Sequence, residues 1–90
     1  MFKKLKDATY DEVMDNRVII KLRKTGKIYL GCKYANSSRY TGFIFIGLLT
    51  DGNLMEEYKD KQSAIKEVRK FADIYIFDDI SEVLERISIL

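Results

Sequence analysis

The sequence predicts an α+β fold: a single domain over residues 1–90, built on an antiparallel meander of three to four strands with helices packed on one face, in the order α-β-β-β(-β)-α-β-α. Three features predict it. Residues 17–34 alternate in polarity with period two, two capping patterns each open on apolar residues at helical spacing, and an Asp-Gly pair separates two apolar stretches. Ninety residues support one core and no second domain, because a chain of this size buries only roughly 60 to 65% of its surface on folding.

Thr9-Tyr10-Asp11-Glu12 is a capping box, and Tyr10, Val13 and Met14 follow on one helical face, so a short helix is expected from Tyr10 to Asp15. The preceding FKKLKDA reads as an extension of that helix or as a separate arm. Next comes a hairpin. A three-residue loop, Lys24-Thr25-Gly26 with glycine in the left-handed region, pairs Leu22 with Ile28, Ile20 with Leu30 and Val18 with Cys32. A two-residue Thr25-Gly26 turn instead sets Leu22 opposite Tyr29 and mixes apolar with basic residues. The first register is expected, since a one-residue slip sends every side chain to the other face.

The segment Asn36 to Gly42 reads as a loop, and FIFIGLLT, apolar at both parities, as an inner strand. Asp51-Gly52 is a two-residue turn signal, which makes Asn53 to Tyr58 a fourth strand. Ala64, Ile65, Val68, Phe71 and Ala72 share a helical face behind an N-cap at Asp60 or Ser63. A short strand from Ile74 to Phe77 follows, then the capping pattern Asp79-Ile80-Ser81-Glu82 and a last helix carrying Val83, Leu84 and Ile87.

Charge is distributed unevenly. No Asp or Glu lies between Asp15 and Asp51, while Arg17, Lys21, Arg23, Lys24, Lys27, Lys33 and Arg39 all do. Residues 1–45 hold ten Lys or Arg against four acids, and residues 46–90 hold six against ten. In the expected register Arg17, Lys21, Arg23, Lys27, Tyr29 and Lys33 share the outer face of the hairpin, with Lys24 in its loop and Arg39-Tyr40 in the next one. Cations interleaved with aromatic rings are what single-stranded nucleic-acid sites use for phosphate contact and stacking. The competing expectation is structural: Asp73, Asp78, Asp79, Glu82 and Glu85 neutralise the basic sheet within the fold or across a dimer.

Several chemistries are disfavoured. The chain has no histidine and one cysteine, so it holds no Ser-His or Cys-His triad, no internal disulfide and no usual zinc ligand set. Cys32 reads as a small buried hydrophobe. Asp78 and Asp79 end an apolar strand in the manner of a magnesium site, but KLRKTGK lacks the first glycine of a phosphate loop and has Ile28 where Ser or Thr belongs, so Asp79 reads as a helix cap. Asp7, Asp11 and Asp15 read as a solvated face, and Glu56-Glu57 as strand neighbours on opposite faces. The N-terminal MFKKLKDATYDE has no apolar core of a secretory signal and no run approaches the roughly 20 apolar residues of a membrane span, so a cytoplasmic protein is expected.

The α-β-β-β-α order is similar to that of double-stranded-RNA-binding domains, and YKDKQSAIKEV resembles a helix entry of three-stranded domains that read DNA through a sheet. The hairpin loop holds no histidine and the second helix opens on no Lys-Lys pair, so the contact residues of the former are missing and no family is assigned. The function expected is therefore binding without catalysis, cofactor or metal: a basic hairpin face that takes nucleic acid or another anionic surface. The alternative is a small regulator or inhibitor, of the kind phages and mobile elements carry, that docks on a host protein or nucleoprotein complex. A homodimer is compatible with either.

Overall fold

The structure, a computed structural model, describes residues 1–48, 52–57 and 60–90, with the backbone alone at 32, 33, 53 and 55–57. The Asp51-Gly52 turn, the burial of Cys32 and the placement of the Lys33 side chain fall outside what is described. Among the described residues six strands and three helices follow one another: β1 (Phe2–Leu5), α1 (Tyr10–Asp15), β2 (Arg17–Leu22), β3 (Ile28–Asn36), β4 (Thr41–Gly47), β5 (Asn53–Glu57), α2 (Lys61–Phe71), β6 (Ala72–Phe77) and α3 (Ile80–Arg86). The class is α+β, but the sheet is wider than a three- to four-stranded meander, and helices pack on both of its faces.

All six strands join one antiparallel sheet in the order β1-β6-β2-β3-β4-β5. The chain runs through α1 from β1 to β2, skipping one strand position. Strands β2 to β5 form the expected meander, and α2 returns the chain to fill the skipped place with β6. That strand lies between two partners, and Ala72, Ile74, Ile76 and Phe77 are all buried. The segment FKKLKDA is thus neither arm nor helix, because Phe2 to Leu5 pair with Phe77 to Ile74 as an edge strand. Phe2 and Leu5 have opposite parity, and each reaches an apolar face.

The helices begin where their caps predict. Glu12 N–H donates to the Thr9 hydroxyl and Thr9 N–H donates back to the Glu12 carboxylate; Ser63 N–H donates to Asp60 at the head of α2, and Ser81 N–H to Asp79 at the head of α3. Helices α1 and α2 cover one face, where Ala8, Val13, Ala64, Ile65 and Val68 pack on Val18, Ile20, Tyr29, Phe43, Phe45 and Ile74. Helix α3 covers part of the other, with Val83 against Ile19, Ile28 and Phe77.

The hairpin register differs from the expected one. Ile19 lies opposite Leu30, Ile20 opposite Tyr29 and Lys21 opposite Ile28, and a four-residue loop, Arg23 to Gly26, is closed by Leu22 N–H donating to the Lys27 carbonyl at 2.9 Å. Gly26 has the positive φ expected of it, +75°. Opposite residues share a face, so Tyr29 joins Ile20 in the core while Lys21 shares a face with Ile19. The slip follows from burial on both sides: Val18, Ile19 and Ile20 are each no more than 2% exposed, so alternation in β2 does not point to a single inner face.

A bulge in β3 completes the effect. Its register against β4 shifts between Leu30 and Cys32 around Gly31, whose φ is +74°. The extra residue reverses the alternation, which is how Tyr29 and Tyr34, of opposite parity, both reach the first core cluster. A Cβ added at Gly31 meets nothing within 4 Å, so Gly31→Ala is expected to cost only the left-handed conformation, about 1 to 2 kcal/mol, with no clash. Thermal and urea unfolding check this, and an unchanged midpoint would show that β3 keeps its path without the left-handed residue.

Candidate functional site

The nine residues singled out from the sequence do not form one face. Tyr29 is 7% exposed inside the first core cluster, so it offers no ring to a base. Lys21 is half-buried and its Nζ donates to the Leu90 carbonyl. Arg17, exposed at the start of β2, donates through Nη1 to the Asp78 carbonyl at 2.9 Å. Arg39 and Tyr40 sit in the loop between β3 and β4, where the Tyr40 hydroxyl donates to the Phe43 carbonyl at 2.7 Å. Strand β3 spans nine residues, so this loop and the hairpin loop are roughly 26 Å apart at opposite ends of it.

What remains of the basic set lies at the hairpin end of the sheet, and tertiary structure brings new members to it. Lys4, Lys6, Arg23, Arg69 and Asp73 line a hollow of about 160 Å³. Lys24 and Lys27 are exposed in the adjoining loop, and with Lys6 they make no ion pair among the described residues. Sequence reasoning missed Lys4, Lys6 and Arg69. What brings them there is that β6, preceded by α2, pairs with both β1 and β2, a long-range pairing that no local pattern carries.

Arg23 is the pin of this region. Its guanidinium donates to the Asp73 carboxylate at 3.0 Å and to three carbonyls where α2 ends: Lys70 at 2.8 Å, Arg69 at 2.8 Å and Ala72 at 3.1 Å. A helix C-terminus leaves carbonyls unpaired and carries partial negative charge, and the planar fork of Arg23 answers both. Lys4 also approaches Asp73, at 3.5 Å, and Arg69 donates to the Ala8 carbonyl at 3.0 Å. Asp73 thus pairs with Arg23 and Lys4, whereas Lys6, Lys24 and Lys27 make no ion pair among the described residues.

The acids of the opposite end are occupied by α3. Asp79 is its N-cap, and the Ser81 backbone N–H holds the Asp79 carboxyl below the usual range. Glu82 is lowered to about 2, first by the Met1 ammonium and then by the Asp79 and Asp78 backbone N–H groups. Asp78 pairs with the same ammonium at 2.7 Å. No group of three or more acidic or cysteine side chains stands together as a metal site among the described residues, and among them no helix is long and apolar enough to cross a membrane.

A second surface lies on the α3 face. Leu30, Gly31, Phe77 and Ile80 line a mainly apolar groove of about 490 Å³ with Arg17 at its edge. Ile46 and Leu84 on the same face are 58% and 52% exposed. No protein-family model matches this chain, no curated protein matches its sequence, and no solved structure matches it.

Proposed function

We propose that the protein is a non-enzymatic binding protein for an anionic partner, nucleic acid first, and that contact is made by the hairpin end of the sheet. The observation that carries this reading is the exposed set Lys6, Lys24 and Lys27, which make no ion pair among the described residues, gathered beside Lys4 from the end of β1 and the hairpin loop around a pinned Arg23. Paired cations contribute to the fold. Unpaired ones on a rigid rim are available to phosphates. Arg17, Lys21 and Tyr29 leave the contact set, since Arg17 bonds the Asp78 carbonyl at the other end of the sheet, Lys21 bonds the Leu90 carbonyl and the Tyr29 ring is buried in the core.

The expected result is that Lys24→Gln with Lys27→Gln weakens nucleic-acid binding evenly across sequences and lowers the slope of log K against log salt by about two, at roughly 0.9 for each phosphate no longer neutralised. An unchanged slope would sink the assignment to this end. The second reading, a regulator that docks on a protein, is favoured by the apolar groove beside Ile46 and Leu84. It predicts a partner whose affinity barely responds to salt and falls with Ile46→Asp instead.

A further inference from the structure

The spacing of the open lysines points to a particular form of nucleic acid. Lys6 follows the end of β1, and Lys24 and Lys27 belong to the loop joining β2 to β3. In the sheet order β1-β6-β2-β3 these positions are two to three strand spacings apart, roughly 10 to 14 Å. That is comparable to the width of the B-DNA major groove, about 12 Å. A rim with cations at both sides of such a gap meets phosphate rows of two strands at once, whereas a single strand offers it one row.

Two more observations favour a duplex. The ground between the lysines would repel phosphates if it exposed Asp73 and the carbonyls ending α2, and Arg23 covers both while fastening the loop at a fixed distance from β1. Many of the described aromatic rings pack within the fold: Phe2 stacks on Tyr75 at 5.2 Å, Tyr10 meets Tyr34 at 5.3 Å, Phe43 meets Phe45 at 5.8 Å, and Tyr29 is buried. Sequence-tolerant single-strand sites draw about 1 to 3 kcal/mol per base from rings that bases can reach, and at this end Tyr29 is buried while Phe71, half-buried, packs against the first core cluster.

We infer that the partner is double-helical DNA, straddled across a groove by Lys6 on one side and Lys24 and Lys27 on the other, held by its phosphates without reading of bases. The inference rests on the proposed anionic-partner reading. Fluorescence polarisation with a DNA duplex of about 20 base pairs, two helical turns, against a single strand and an RNA duplex of equal length, at low salt, tests it. The DNA duplex should bind about tenfold tighter than either competitor, and equally for unrelated sequences. Lys6→Gln should lower its salt slope by about one and the Lys24→Gln, Lys27→Gln pair by about two, with circular dichroism and melting unchanged. A single strand or an RNA duplex bound as tightly as the DNA duplex would overturn the groove match while leaving an anionic partner standing. Binding to none of the three would remove the nucleic-acid reading itself.

Discussion

Replacing Phe43 by alanine is expected to lower the melting temperature by roughly 12 to 40 °C. The ring is fully buried and central to the first core cluster, 5.2 Å from Tyr34, 5.8 Å from Phe45 and 5.9 Å from Tyr10. Truncating a buried Phe costs about 3 to 5 kcal/mol in reduced burial and cavity formation, and each kcal/mol moves the midpoint of a domain this small by about 4 to 8 °C. If the total stability lies at the low end of the usual range, about 5 kcal/mol, such a cost leaves a visible unfolded fraction at ambient temperature. Phe43→Leu retains most of the volume and should cost under about 1.5 kcal/mol. Thermal circular dichroism on both variants checks the pair, and an alanine variant melting within a few degrees of the parent would mean that the ring does not anchor the core.

Arg23→Met should be the most costly change at the basic end. The side chain is 49% exposed, so water and salt discount its ionic bonds, and the expected loss is about 1 to 3 kcal/mol rather than the full sum of four charged hydrogen bonds. What cannot be discounted is geometry. Lysine has the charge without the fork, so Arg23→Lys should recover the pairing with Asp73 but not the three carbonyl bonds. Urea unfolding reads the destabilisation, and amide exchange at the end of α2 should rise in Met and Lys variants alike. Unchanged exchange there would show that the helix end does not depend on the guanidinium.

The helices are legible in the sequence because their signals are local. Thr9 with Glu12, Asp60 with Ser63 and Asp79 with Ser81 each complete a cap within a few residues, and the buried stripe Ala64, Ile65 and Val68 has helical spacing. The meander is legible in outline from its alternating runs and from Gly26. Two features defeat the finer reading. Covering both faces removes the inside-outside contrast that sets register, and the bulge at Gly31 inverts the alternation midway along β3. Parity alone sends Tyr29 to the solvent; the hairpin register opposite Ile20 places it in the core, and the bulge brings Tyr34 to the same cluster.

By itself, then, the sequence determined the α+β class, the caps and the excess of cations in the first half, because each is written in residue types and short spacings. Tertiary structure alone decided that β6 enters between β1 and β2, that Lys4, Lys6 and Arg69 meet the hairpin loop, and that Arg23 serves the fold while Lys24 and Lys27 do not. The physical reason is separation along the chain. Arg23 and Asp73 lie 50 residues apart, and nothing in either neighbourhood specifies the other until burial of two apolar faces selects the strand order that brings them together.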